Sequence, residues 1–301
     1  MKEWCRYGDE VARALAIKAP VVALETTVVT HGLPHPDGVR TALLLERIVR
    51  EAGATPATIG IVSGAIRVGL TAAELEQLAT TPNVAKVNLS NFAAALSSGQ
   101  PGSTTVAATM AAAHASAIRV FATGGIGGVH RDVSETGDIS SDLTALSRIP
   151  VAVVCAGAKA VLDLPRTVEM LETLGVPVFG YETEEFPAFY RRSSGLPVDR
   201  RYDSIAELAA AVRLHLSLGL GTGVVIGNPI PIADEMRSEL YDRALHSALR
   251  EAETQRIRGR AVTPFLLDRM DKLTGGDSVR TNVALLSHNA RVAAAIAVAA
   301  K

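Results

Sequence analysis

Hydrophobic and polar positions fall in blocks along this chain, and the period changes from block to block. "APVVALETTVV" (19–29) is apolar almost throughout, as a strand buried on both faces should be. "DGVRTALLLERIVREAGA" (37–54) switches to helical spacing and ends near Gly53. "TPATIGIVSGAIRVGL" (55–70) predicts a pair of strands around Ser63 and Gly64, and "VAKVNL" (84–89) predicts another. "TAAELEQLATT" (71–81) opens with Thr71 and Glu74, the spacing of a reciprocally capped helix start. "GSTTVAATMAAAHASA" (102–117) predicts an alanine-rich helix with Gly, Ser and Thr at its start. Further strands are expected in 118–132, where the chain runs into glycines, and in 150–157, 177–190 and 222–230. Helices are expected over "DEVARALAIK" with Asp9 as a cap, over "SSDLTALSRI" (140–149) and over "RTVEMLETLG". The last seventy residues read as mostly helical, with two helices joined at Thr274–Ser278.

Apolar strands alternating with helices predict an α/β fold with a mostly parallel sheet covered on both faces. No Pro/Ser-rich linker or repeat divides the chain, so residues 1–301 read as a single domain. Ligands of such folds sit beyond the carboxyl ends of the strands. Glu25, Lys86, the glycines of 124–128, Lys159 and Asn228 all fall at or just after expected strand ends, where they can converge.

Composition narrows the picture further. The chain is 48% hydrophobic but only 4% aromatic, so its core must come from Ala, Val, Leu and Ile. The formal net charge of −1, with no basic block, argues against nucleic acid as the main partner, because phosphate neutralisation needs a basic surface. Cys5 and Cys155 match no metal spacing and no disulfide framework, which fits a reducing compartment. The first twenty residues lack the apolar core of a signal peptide. The long apolar run "LAAAVRLHLSLGLGTGVVIG" is broken by Arg, His and Gly, so no membrane span is expected. The expectation is a cytoplasmic protein acting on a small molecule.

Two residues stand out chemically. The chain has six lysines against twenty-four arginines, and only Lys86 and Lys159 sit in apolar strand contexts. Where charge alone is wanted, this chain uses arginine. A lysine can instead lose its proton when desolvated and act as a nucleophile. Small residues surround Lys159 in "CAGAKA" and leave room for a substrate. Lys159 is therefore either a Schiff-base nucleophile or a lysine snorkelling from a strand end. Glu25 is the lone carboxylate of "VVALETTVV". Burial would raise its pKa and suit it to general acid chemistry; the competing reading pairs it with a buried cation or a turn.

Other motifs are less specific. "GGIGGVHRD" (124–132) and "GTGVVIG" (221–227) shape the backbone but match neither dinucleotide nor Walker signatures. His130 in the first loop reads as polar lining or structural. "DISSDL" (138–143) offers two carboxylates and two hydroxyls at a helix start. Ser140 or Ser141 can simply cap it; alternatively Asp138 holds a hard cation and the helix start takes phosphate. "GSTT" (102–105) is a second possible anion-binding helix start, and Asp277 and Ser278 open a third with Asn282 one turn in. His31 and His35 are not at metal spacing.

Together, "VVALETTVVTHGLPHP", "PATIGIVSGAIRVGL", "FATGGIGGVHRD", "DISSDL", "VVCAGAKAVLDLP", "NPIP", "TPFLL" and "LTGGDSVRTN" resemble the pseudouridine-5′-phosphate glycosidases across roughly residues 8 to 298. The resemblance implies a three-layer α/β/α fold, a homotrimer, and reversible cleavage of the C–C glycosidic bond of pseudouridine 5′-phosphate to uracil and ribose 5-phosphate. It implies Lys159 as the nucleophile that holds ring-opened ribose and Glu25 as the proton donor. It further implies Asp138 as ligand of a divalent metal, typically Mn2+, with Lys86, Val106, Ser140, Ser141 and Asp142 contacting substrate. Asn282 lies in the segment that resembles the pocket wall, and His130 is grouped with the substrate contacts. After Lys86 the family usually carries a Ser-Arg-Arg-Asp type sequence, whereas this chain reads "KVNLSNFAAAL". That departure points to altered substrate contacts near Lys86. Two further readings remain: a related glycosidase or lyase acting on another sugar phosphate, and a non-catalytic nucleotide-binding protein of the same fold.

Overall fold

The apolar blocks form the interior of one eleven-stranded sheet in the computed structural model, which describes residues 1–301 apart from the side chain of Arg260. In chain order the strands are β1 (Cys5–Tyr7), β2 (Val21–Leu24), β3 (Thr55–Val62), β4 (Ala65–Val68), β5 (Ala85–Val87) and β6 (Gly102–Thr104). They continue with β7 (Val120–Ala122), β8 (Ala152–Cys155), β9 (Val178–Tyr181), β10 (Arg200–Tyr202) and β11 (Val224–Gly227). The spatial order is β1-β4-β3-β2-β7-β8-β11-β9-β10, with β6 also paired to β3 and β5 to β6. Only the β3–β4 and β3–β6 pairs are antiparallel. Every residue of β2, β7, β8 and β11 is buried, which requires helices on both faces and explains their unbroken apolar sequence. Helices Asp37–Glu51 and Ile205–Ser217 pack against the C-terminal helix Asp277–Ala299, while Val106–Ala115 packs against Ser141–Leu146. The fold is the expected three-layer α/β/α arrangement.

Several local features follow the sequence closely. Ser63 and Gly64 make the β3–β4 turn with φ of 52° and 70°, the positive dihedrals that a tight hairpin demands. Thr71 and Glu74 cap helix Ala72–Thr80 reciprocally. Gly275 and Gly276, at φ of 61° and 90°, separate the last two helices, Val262–Thr274 and Asp277–Ala299.

Other expectations are corrected. The strand expected over 19–29 ends at Leu24, and the chain turns into a π-helical segment, Val28–Gly32. Thr26 causes the break: its hydroxyl donates to the Ile59 carbonyl at 2.8 Å and accepts from the Thr104 amide at 2.9 Å, drawing the chain out of the ladder. The glycine and two of the hydroxyl residues expected to open a helix at 102 form β6 instead, and Thr105 caps the helix that follows through the Ala108 amide. Asp9 is the first helical residue, with Gly8 as the cap. Helix Ile205–Ser217 takes up the first half of the apolar run 208–227 and β11 its end, with the intervening glycines as the break. Helix Asp277–Ala299 is long and apolar enough, by length and composition alone, to cross a membrane, as a buried core helix also can be. Here its apolar stripe packs on β2, β7 and β8 and buries Leu285, Leu286, Ala293 and Ile296.

The residues after β8 return along the ends of the neighbouring strands, and Gly157 makes this possible. It has φ of 83°, and a Cβ there would lie 1.8 Å from the Pro187 carbonyl oxygen. Gly219 has a similar φ of 71° with nothing within 4 Å of that position. Gly219→Ala should therefore cost only the conformational penalty of about 1–2 kcal/mol. Gly157→Ala adds a backbone collision and should cost at least about twice as much. Urea unfolding of the two variants measures the difference; equal losses would refute the collision.

Candidate active site

Four parallel strands deliver the candidate residues to one edge. Leu24 of β2 pairs with Ala122 of β7, and Ala122 pairs with Val154 of β8. Glu25 and Thr123 therefore emerge side by side. The Glu25 carboxyl is 7% exposed. The Thr27 hydroxyl donates to one of its oxygens and the Thr123 hydroxyl to the other. Burial pushes its pKa up, while the Lys159 ammonium and the Thr123 hydroxyl pull the other way. The competing sequence reading, a glutamate tied to a buried cation, gives way to a carboxyl kept between two hydroxyls in a desolvated site.

Lys159 lies four residues beyond the end of β8, in a loop rather than on the strand. That loop is joined by backbone hydrogen bonds to the glycine segment after β7. The Ala156 amide donates to the Gly124 carbonyl at 2.9 Å, the Ile126 amide to Gly157 at 3.0 Å, and the Lys159 amide to Ile126 at 3.0 Å. Lys159 is half-buried and lines two adjoining chambers together with Thr27, Lys86 and Thr263. The first, about 480 Å³ of empty space, is also lined by Glu25, His31, Thr123, Gly124 and Asn282. The second, about 950 Å³ and open to solvent, is lined by Thr105, His130, Asp138, Ser140, Ser141 and Asp142. Lys159 thus borders both a small chamber containing a protonatable acid and a larger one rich in hydroxyls.

The second chamber is shaped by Asp142. One of its oxygens accepts from the Ala107 amide at 2.9 Å, the other from the Gly127 amide at 2.8 Å. The carboxylate therefore ties a helix start to the glycine loop, with its oxygens turned to protein donors. Ser140 caps helix Ser141–Leu146 by accepting from the Asp142 amide at 3.2 Å. A Cβ on Gly127 would stand 2.1 Å from the Ser140 hydroxyl, so only glycine permits this approach. Val106 is wholly buried in the core and lines neither chamber; Thr105, one residue earlier, lines the second. Asp138 is partly exposed at the chamber wall, with His130 Nε2 at 3.8 Å from its carboxylate. Among the described residues no three His, Cys, Asp or Glu side chains cluster as a metal site. Asp138 is the one carboxylate lining this chamber whose oxygens are not taken up by backbone amides, and so the one free to help hold a hard cation.

Asn228, placed with the converging residues from sequence, stands behind the site. Its Nδ2 donates to Asn289 Oδ1 at 2.8 Å, and Asn289 Nδ2 donates to the Thr123 carbonyl at 2.8 Å. This buried amide pair fixes the peptide that carries the Thr123 hydroxyl. Thr105 closes the "GSTT" segment read as a possible anion-binding start, whereas Thr27, Thr123, His31 and Asn289 were not singled out as site residues by the sequence. The "ETT" pairing offered a signal for Thr27; the others acquire meaning only through tertiary neighbours.

The indigoidine synthase A like protein family matches residues 10–299. A pseudouridine-5′-phosphate glycosidase of Methylobacterium nodulans is 53% identical over 97% of this chain and 87% of its own length. That of Geobacillus kaustophilus is 51% identical over 99% of each chain. Among solved structures, the prealnumycin C-glycosynthase AlnA in complex with ribulose 5-phosphate superposes with a TM-score of 0.90. It is 39% identical, covering 99% of this chain and 97% of that one. An indigoidine synthase A-like protein of Thermotoga maritima gives 0.88 at 34% identity, covering 98% and 95%. By both sequence and structure, the chain belongs to the family of the indigoidine synthase A like proteins and pseudouridine-5′-phosphate glycosidases.

Proposed function

We propose that this chain cleaves, reversibly, the C–C glycosidic bond of pseudouridine 5′-phosphate, with water, to uracil and ribose 5-phosphate. The observation that carries the reading is Lys159, whose side chain borders both the acid-bearing chamber and the hydroxyl-rich one. A carbon leaving group has no lone pair to protonate, so the usual pair of carboxylates is not enough. Covalent capture of C1′ provides the missing electron sink. In this scheme Lys159 acts as the free amine: the ribose ring opens as O4′ leaves C1′, Nζ bonds to C1′, and the proton that Nζ gives up goes to O4′. Glu25 delivers its proton to uracil C5. The Nζ lone pair then forms a C1′=N bond as the C1′–C5 electrons return to the pyrimidine. Water hydrolyses the imine and frees ribose 5-phosphate.

The second chamber fits the phosphate end, with the Lys86 ammonium and the hydroxyls of Thr105, Ser140 and Ser141 around it. Asp138 would hold the divalent cation, Mn2+ in our reading, which supplies positive charge against the phosphate when bound. His130, 3.8 Å from that carboxylate and lining the same chamber, is grouped with the substrate contacts. Asn282 on the first chamber offers an amide to the pyrimidine edge. Asn88 lines the second chamber in the segment that departs from the family pattern, which favours an altered sugar-phosphate preference as a second reading. Buried free cysteines at 5 and 155 accord with action in the cytoplasm, and a homotrimer is the assembly we propose.

Borohydride treatment during turnover should add one reduced ribose phosphate to Lys159, read by intact mass and peptide mapping. Active enzyme with no adduct would remove the covalent scheme. Lys159→Ala should fold and fall below about a thousandth of wild-type turnover. Chelation should abolish uracil release and added Mn2+ restore it; unchanged activity in chelator would remove the metal from the scheme.

Glu25 also gives a stability prediction. Its folded pKa lies above the unfolded carboxyl value of about 4.3. Above that pH the unfolded chain releases a proton that the folded chain retains, so stability falls as pH rises until the folded pKa is passed. Glu25→Gln removes this penalty. The variant should be inactive, yet its stability relative to wild type should improve between pH 4.5 and pH 7. Urea titrations at the two pH values check the sign.

A further inference from the structure

His31 lies on the turn just beyond Glu25 and lines the same chamber as Glu25 and Lys159. Its Nδ1 is 2.5 Å from the Thr30 hydroxyl oxygen. The Thr30 hydroxyl donates its own proton to Ser103 Oγ at 2.8 Å, and Ser103 donates onward to the Ala85 carbonyl at 3.4 Å. Ser103 Oγ also lies 3.3 Å from Nδ1, so two hydroxyls engage that nitrogen. With Thr30 donating to Ser103 and Ser103 to the carbonyl, Nδ1 carries the proton and Nε2 keeps its lone pair, and this proton order is part of the inference. Burial, and after it the Lys86 ammonium, hold the imidazole below its ordinary pKa range, which keeps the ring neutral near pH 7.

Resting on the proposed function, we infer that His31 Nε2 accepts the N1–H of the pyrimidine and acts as a catalytic and specificity-determining residue. The chemistry calls for such an acceptor. In a C5-linked pyrimidine, N1 and the C6=C5 bond form an enamine. Its N1 lone pair pushes electrons toward C5 when O4′ departs and again when C5 takes the Glu25 proton. Positive charge appears on N1 at both moments, and an acceptor at N1–H relieves it. The same contact reads the linkage, because uridine 5′-phosphate carries its ribose on N1 and has no proton to offer there.

The test uses pseudouridine 5′-phosphate and its N1-methyl analogue, which keeps the lone pair but lacks the proton. Wild-type kcat should fall about 100-fold on the analogue, within the range of general base contributions. His31→Gln should fall comparably on the parent substrate, and methylation should then add less than about threefold. Multiplying effects, or an analogue cleaved at the parent rate, would overturn the inference. A steric clash of the methyl group would appear in KM and be relieved in His31→Gly, and that pattern would also overturn it. Nitrogen NMR of the free enzyme gives a substrate-independent measurement: Nε2 should be unprotonated, and a protonated Nε2 would refute the proton order. If wild type releases no uracil even from the parent, the proposed function fails first; normal release without methyl discrimination sinks only the role of His31.

Discussion

The site depends on four parallel strands that stop within one residue of the same level. β2, β7, β8 and β11 are paired in register, from Leu24 to Ala122 to Val154 to Ile226. Because each is buried on both faces, none can present a polar side chain along its length without desolvating it. On these four strands, chemistry is left to the residues past the ends. Glu25 follows β2, Thr123 follows β7, Lys159 follows β8, and Asn228 follows β11. A one-residue slip of β2 against β7 would part Glu25 from the Thr123 hydroxyl.

Two buried carboxyl groups show how the same edge serves opposite ends. Glu25 accepts from two hydroxyls, which can either donate or accept, so these partners tolerate a protonated acid. Asp142 meets two backbone amides, which can only donate, and so favours a pure acceptor. One is poised to exchange a proton; the other holds architecture. Removing a partner from either leaves a buried polar group unsatisfied, at about 1–3 kcal/mol. Asn289 extends the arrangement one layer back, since the peptide it holds carries the Thr123 hydroxyl.

Lys159 and Glu25 were legible in the sequence because each is a rare charge in an apolar run. The Ser63-Gly64 turn and the Thr71–Glu74 cap were legible because local geometry alone determines them. The end of β2 was not. Val28 and Val29 continue the apolar pattern, and the break comes from Thr26 bonding to β3 and β6, far away in sequence. Gly102–Thr104 looked like a helix start because its residues favour caps; pairing with β3 and β5 overrode that preference. Val106 resembled a substrate contact, yet the side chain facing the chamber belongs to Thr105. The surroundings of His31 Nδ1 were invisible, because Ser103, 72 residues away, lies 3.3 Å from it.

The division into two chambers explains why a lysine, rather than a second carboxylate, sits between them. In the proposed scheme an amine on a four-carbon stem follows C1′ as the sugar ring opens, while Thr105, Ser140 and Ser141 line the chamber proposed for the phosphate. The glycines make that reach short. At Gly125 a Cβ would strike the Phe189 ring at 2.7 Å, and at Gly127 it would strike Ser140. With backbone as the lining at those points, the two loops close to hydrogen-bonding distance and Lys159 borders both chambers. The small residues of "CAGAKA" thus do more than clear space near the amine. They let one loop lie flush against another, and that contact places the amine between the acid and the anchor.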